Sequence, residues 1–514
     1  MRDSSDAVER GPGAADFGPD DLDRKIVRQS SWVALSYGTR SALSMAAMLA
    51  LVRLLDPRAF GLVALAWTFL TIVEHLQESG LGAAVVQRRT DVREAAGSAL
   101  LAGSLSGMLF AGTVVVAAPL VERLMHAPGL AEILRGLAPL LVLRGLAVVP
   151  AALLERTLDY KGRARAELAA GVVQPAVAIP LAVAGAGVWS LVFGQLAAAC
   201  VGTAIIWSVA PWRPNPRDAD RHVLRELLRY GRFITGSNIV NLLNDTLDNL
   251  TVARLLGTRM LGFYTVTWRL ADMPNTVIGN IVGRVLFPVY AAFHADRATV
   301  RRVYVQNLQR VALLALPVSA VLVVGAEPLV RGLFGDTWLP VVDPLRLLGL
   351  YGAVKSLSAP SGEVFKGIGR PQLGLVFASV HAALVVPMLL LLTPRWGLTG
   401  AALALLIVVC ASGIPALVTS LRVVDAPLRS AARALAAPVA CAFVVAAALL
   451  ACTPAAVSLP PLGGLALVIV VALTAYAAAA TLLARPILRP IVDSFRAKRG
   501  SGGRVEPIPR ATEP

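Results

Sequence analysis

Apolar runs of membrane-spanning length recur along the whole chain, separated by short polar segments marked by proline, glycine and charge. A helix of about 20 predominantly apolar residues crosses a bilayer. On that length the pattern predicts spans near 30–53, 59–85, 98–120, 133–154, 167–186 and 188–210. A basic loop follows, then spans near 233–256, 260–292, 308–326, 341–361, 371–393 and 396–420. Two more, near 434–452 and 462–484, precede a polar tail. The pattern thus predicts an all-α integral membrane protein of about 14 transmembrane helices, arranged as two pseudo-symmetric six-helix lobes plus two C-terminal helices. The corresponding divisions are a polar tail at 1–29, an N-terminal lobe at 30–210 and a basic linker at 211–232. A C-terminal lobe at 233–425, two additional helices at 426–484 and a tail expected to be disordered at 485–514 complete the chain.

Composition narrows the function. Of 514 residues, 56% are hydrophobic and only 16% charged, with a mean hydropathy of +0.68. So many spans leave only short loops and two tails, which excludes a cytosolic enzyme, a secreted disulfide scaffold and a nucleic-acid reader, despite a net charge of +16. That basic excess has a topological explanation. Lysine and arginine concentrate in cytoplasmic loops, and the loops and tails alternate sharply, with 34 basic residues on one side against 7 on the other. Both tails fall on the basic side and are expected to be cytoplasmic. The polar first 29 residues show no signal-peptide pattern, so the first span is expected to be retained.

Little conventional chemistry is present. The four cysteines all lie in apolar stretches, and Cys441 and Cys452 are too far apart along one helix to bond. The five histidines have no ligand spacing, so neither a metal nor any other cofactor is expected. No Walker A sequence supports ATP hydrolysis. The Asp-x-Asp pairs Asp21/Asp23 and Asp218/Asp220 sit in short polar segments with no domain around them.

An internal duplication is legible. Residues 53–61 (Arg-Leu-Leu-Asp-Pro-Arg-Ala-Phe-Gly) and 254–262 (Arg-Leu-Leu-Gly-Thr-Arg-Met-Leu-Gly) share five of nine positions at an offset of 201. Arg144-Gly145 and Tyr351-Gly352 stand at offset 207, as do Arg163 and Arg370. The repeat is six helices long. An even number preserves orientation, so the two copies should be related by a pseudo-two-fold axis along the membrane normal and enclose a central cavity.

Polar residues inside spans must face protein or water. On the seventh helix Asn238, Asn241, Asn244, Asp245, Asp248 and Asn249 fall on one face, and at offset 201 the first helix carries Tyr37, Arg40 and Ser44. On the eighth, Arg269, Asp272, Thr276 and Asn280 make a second stripe, with Arg284 one turn beyond. Bland readings compete: Arg269 and Asp272 could neutralise each other at i,i+3, the asparagines could be interhelical glue, and Arg135 and Arg346 could reach out from helix ends. Arg40, Arg144, Arg284 and Lys355 sit well inside spans, where a charge costs roughly 2.5–3.5 kcal/mol. A cationic cavity suits an anionic substrate. The candidate substrate-binding residues are Arg40, Arg144, Arg269, Arg284, Lys355, Asn238 and Asn241, with Asp245, Asp248 and Asp272 as candidates for ion coupling.

Several stretches resemble a known family. Residues 53–63, Glu78-Ser79-Gly80-Leu81-Gly82-Ala83-Ala84-Val85-Val86-Gln87 and Gly187-Val188-Trp189-Ser190-Leu191-Val192-Phe193-Gly194-Gln195-Leu196 are similar to the polysaccharide transporter (oligosaccharide flippase) family. So are Leu255-Leu256-Gly257 through Leu261-Gly262-Phe263-Tyr264 and Val285-Leu286-Phe287-Pro288. The resemblance runs from about 30 to 425 and implies the multidrug/oligosaccharidyl-lipid/polysaccharide exporter superfamily, with two six-helix lobes. It implies a transporter in a bacterial inner membrane that turns a polyprenyl-pyrophosphate-linked oligosaccharide from the cytoplasmic to the outer leaflet. Membrane lipids, and the polymerase and glycosyltransferases of the same pathway, are the implied partners. A drug/cation antiporter of the same superfamily and a membrane-embedded glycosyltransferase or glycan ligase are the alternatives. The resemblance supplies no catalytic motif, and the cavity residues rest on the stripes alone.

Overall fold

The computed structural model describes residues 43–78, 81–87, 91–157, 160–210, 212–213, 220–292 and 296–485; within these, stretches including 227–241, 243–245 and 276–289 are described for their backbone alone. The chain is helical throughout these residues. In order come α1 (Leu43–Leu54), α2 (Pro57–Glu78), α3 (Leu81–Gln87), α4 (Val92–Met125), α5 (Leu130–Leu137), α6 (Pro139–Arg156), α7 (Tyr160–Val183) and α8 (Val188–Val209). Next are α9 (Arg221–Ala292), α10 (Arg297–Val324), α11 (Ala326–Leu333), a 3-10 turn (Asp336–Val341), α12 (Val342–Gly367), α13 (Pro371–Val423), α14 (Leu428–Ser458) and α15 (Pro461–Leu483). Two of these are each a pair of helices: α9 breaks at Gly257 (φ 81°, ψ 174°) and α13 at Gly397 (φ 57°, ψ −134°). With those halves counted separately, the order of elements follows the predicted spans.

The departures have local causes. The predicted span 133–154 is two helices, because Pro139, which has no N–H to donate, starts α6 afresh after the short amphipathic α5. The predicted span 59–85 stops at Glu78, and α3 follows as a separate element. Helices α4 and α10 run past the predicted 98–120 and 308–326 into polar sequence, which hydropathy alone cannot see. At the start of α10, Asp296 accepts hydrogen bonds from the backbone N–H groups of Ala298 and Thr299. A hydrogen bond from the Thr299 hydroxyl, followed by these backbone bonds, holds its carboxyl below the usual carboxylate range. Asp220, the described member of its Asp-x-Asp pair, caps α9 in the same way through the N–H groups of His222 and Val223.

The duplication is visible in the backbone. Gly187, between α7 and α8, has φ 56° and ψ −130°, nearly the values at Gly397 between the halves of α13. Both conformations need glycine. The two copies of the 53–61 motif meet each other. A Cβ on Gly61 would lie 1.6 Å from the Thr258 carbonyl oxygen, and a Cβ on Gly262 would lie 1.8 Å from the Pro57 carbonyl oxygen. The contact is reciprocal, as a two-fold relation requires. In lipid, helices associate through close packing rather than through the hydrophobic effect, and glycine permits the backbones to touch.

Around this contact the lobes are sealed at one end. Trp338, only 1% exposed, donates from Nε1 to the Val52 carbonyl at 3.2 Å. It meets Phe263 edge-on at 5.2 Å and Phe60 at 5.9 Å between ring centroids. Arg53 donates to the Leu333 carbonyl at 2.9 Å and also to that of Gly332. The sealed end is the one whose loops carry few basic residues. Helices α14 and α15 cover α10 and α11 on the flank of the second lobe, while Val116, Phe443 and Leu482 stand exposed, as lipid-facing side chains do.

Candidate substrate cavity

On the basic side of the seal lies a cavity of about 670 Å³, within the range of small-molecule sites. Its walls come mainly from the second lobe, with α9, α12 and α13 forming most of the lining and α2 of the first lobe closing the far side. It reaches from Tyr264 and Trp268, next to the seal, to Phe365 and Gly374, next to the basic 366–370 loop. Hydroxyl, amide and imidazole groups line it alongside aromatic rings, among them Thr71, Thr265, Asn249, Ser358 and His381. His381 is held by the Ser412 hydroxyl at 3.1 Å.

Each described acid of this region is already engaged. Asp272 pairs with Lys355 at 2.9 Å and accepts a hydrogen bond from the Asn275 side chain at 3.3 Å. Asp248 accepts from the Tyr264 hydroxyl at 2.6 Å and from the backbone N–H of Asn249 at 2.7 Å. The competing reading in which Arg269 and Asp272 neutralise each other is not the arrangement found: Asp272 turns to α12, and the Arg269 guanidinium stands open on the cavity wall with no acidic partner among the described residues. Lys355 also lies over the Trp268 ring, 5.1 Å from its centroid, and 5.4 Å from that of Tyr351.

The first lobe holds a matching unit. Arg144 pairs with the buried Glu74 at 2.9 Å and lies 6.0 Å from the Trp67 ring centroid. Trp67 and Trp268 stand at the duplication's offset of 201. Asp272 falls one turn before the counterpart of Glu74, and Lys355 one turn after that of Arg144. Each lobe thus sets a cation from its fourth helix between a tryptophan and an acid of its second.

Of the sequence-predicted residues, the structure brings Arg269, Lys355 and Asp248 onto one wall, with Asp272 behind Lys355. Arg144 lies with Glu74 rather than on that wall. Arg40 and the side chains of Arg284, Asn238, Asn241, Asn244 and Asp245 lie outside the described residues. Ser44 is exposed and does not line the cavity. Arg346 pairs with Asp343 at 2.8 Å near a helix start. The sequence reading missed Trp67, Glu74, Tyr264 and His381; applying the offset of 201 to Trp67 would have found its partner.

Because Asp272 is 8% exposed and Lys355 about one-third exposed, removing one partner strands the other. Asp272→Asn and Lys355→Met should each lower the thermal midpoint of the purified protein, at a cost of up to about 3–5 kcal/mol, and the double variant should recover most of the loss. Additive losses in that double-mutant cycle would show that the two groups do not depend on each other.

Fold and cavity together define a multispan helical membrane protein with an internal polar cavity. A family model described as "Polysaccharide biosynthesis protein" matches residues 50–343, more than half of the chain, and the chain belongs to that family. It is 24% identical over 400 residues to the lipopolysaccharide biosynthesis protein WzxC of Escherichia coli, covering 75% of this chain and 79% of that one. It is 27% identical over 360 residues to the succinoglycan biosynthesis transport protein ExoT of Rhizobium meliloti, covering 70% of this chain and 72% of that one. Among solved structures, the lipid II flippase MurJ in an inward closed conformation superposes with a TM-score of 0.69 at 14% identity, covering 88% of this chain and 99% of that one. That likeness is one of fold.

Proposed function

We propose that the protein is a bacterial inner-membrane flippase that carries a polyprenyl-diphosphate-linked oligosaccharide from the cytoplasmic to the outer leaflet for surface-polysaccharide synthesis. The observation that carries this reading is Arg269, a cation facing the cavity while the described acids nearby, Asp248 and Asp272, are engaged by other groups. A planar guanidinium can bind two diphosphate oxygens at once. Lys355, held in reserve by Asp272, is a second handle, and Arg40, Arg144, Arg284, Asn238 and Asn241 are further candidates. The names of the relatives, one for lipopolysaccharide biosynthesis and one for succinoglycan biosynthesis transport, support a glycan cargo.

In this reading the basic side, with both tails, is cytoplasmic. The seal around Trp338 then closes the outer end while the cavity is reached from within, one half of an alternating-access cycle. An anion moving outward gains about 2.3 kcal/mol per charge per 100 mV of inside-negative potential. Asp248 and Asp272, with Asp245, are candidates to carry a coupling cation. A drug/cation antiporter would want open carboxylates in its cavity, whereas those of Asp248 and Asp272 are engaged.

The test is in cells lacking the chain. A lipid-linked glycan should accumulate that a membrane-impermeant glycan-oxidising reagent added from outside cannot reach. Accumulation in a reachable, outer-leaflet form would place the protein after translocation and overturn the proposal.

A further inference from the structure

We propose that Trp67 and Trp268 are a pair of saccharide platforms, one from each lobe, on which sugar rings of the cargo stack inside the cavity. The inference rests on the flippase reading and adds a subsite to it. Both indoles line the same cavity and both are only partly buried. A tryptophan that merely fills a helix seam is closed off, as Trp338 is at the seal. The two occupy equivalent positions of the duplication, and each is set by an equivalent device, a cation drawn over the ring and tethered to a carboxylate on the ring's own helix. Cation–π contact of this kind fixes where a ring lies, and fixed aromatic surface is binding surface that need not be ordered when ligand arrives.

The surroundings select the ligand. A pyranose has C–H faces that pack on an aromatic ring and a rim of hydroxyls that needs hydrogen-bond partners. Thr71 and Thr265 line the cavity on the same two helices as the tryptophans, and the Thr265 hydroxyl already donates to the Leu261 carbonyl at 2.7 Å, leaving its oxygen to accept. A wall built for an apolar drug would not spend its helix faces on hydroxyls. The diphosphate and the sugars are thus read by different residues: Arg269 for the anion, the tryptophans for the rings.

Two probes separate these roles, using the full chain in lipid nanodiscs: undecaprenyl diphosphate without sugar, and the glycan-bearing lipid made by the host's own pathway. Trp67→Leu and Trp268→Leu should each weaken binding of the glycan-bearing lipid at least tenfold and change binding of the sugar-free lipid less than twofold. Trp67→Phe and Trp268→Phe, which keep a ring, should regain most of the loss. Arg269→Ala should weaken both lipids alike. Leucine variants that bind the glycan-bearing lipid as the wild type does, or that lose both lipids in parallel, would overturn the platforms. A wild-type protein that binds neither lipid would instead overturn the flippase reading beneath them.

Discussion

Replacing Arg269 with alanine is expected to cut transport by roughly tenfold to a hundredfold while the protein still folds and inserts. The size follows from the hydrogen bonds a charged donor makes, about 1.5–3 kcal/mol each where water is excluded, at 1.4 kcal/mol per factor of ten. The integrity follows from the geometry. Arg269 faces the cavity and no described acid depends on it, so its removal strands no buried charge. Lys355→Ala differs, since it would leave Asp272 alone and mix a folding defect into the transport defect. Arg269→Lys keeps the charge and loses the fork, and should fall between wild type and alanine. The readout is the fraction of lipid-linked glycan reachable from outside in cells producing each variant at equal membrane level. Unchanged export by Arg269→Ala would remove the residue from the cargo's path.

Helix count and duplication were readable from sequence because both are written in single-residue properties. Hydropathy marks each span, and a constant offset links Arg53 to Arg254 and Gly61 to Gly262. What could not be read is which faces meet. The 3.6-residue period put Arg269 and Asp272 on one stripe and made them natural partners, but the choice belongs to a helix distant in sequence, where Lys355 reaches Asp272. Arg144 was singled out for its charge inside a span, and its partner Glu74, among Thr71, His75, Gln77 and Glu78 near the polar end of a predicted span, was passed over. The short amphipathic helices α5 and α11 fell below spanning length and were absorbed into a span or a loop. Cavity residues such as Trp67 and Tyr264 carry no polar stripe, since an aromatic on an apolar face reads the same whether it packs on protein or on cargo.

Gly61→Leu is expected to hold the seal open. Even a Cβ at this position meets the Thr258 carbonyl at 1.6 Å, and that atom is backbone, which cannot rotate aside. The two lobes must part. Overpacking of this kind costs about 1–3 kcal/mol or more, and at 3 kcal/mol it tilts a two-state equilibrium by more than a hundredfold. The cost falls only on the state in which α2 and α9 touch, so the variant should favour the opposite, outward-open arrangement rather than unfold. Gly262→Leu should do the same through Pro57, and the double variant should add little, because one separation relieves both clashes. The measurement uses Ser358→Cys, on the cavity wall, in a chain whose four native cysteines have been replaced. An impermeant thiol reagent applied from outside should label this cysteine slowly in the parent and rapidly with Gly61→Leu. Slow labelling in both, with export intact, would mean that the reciprocal glycine contact is not the outer gate and that Trp338 and its aromatic neighbours close the outer end without it.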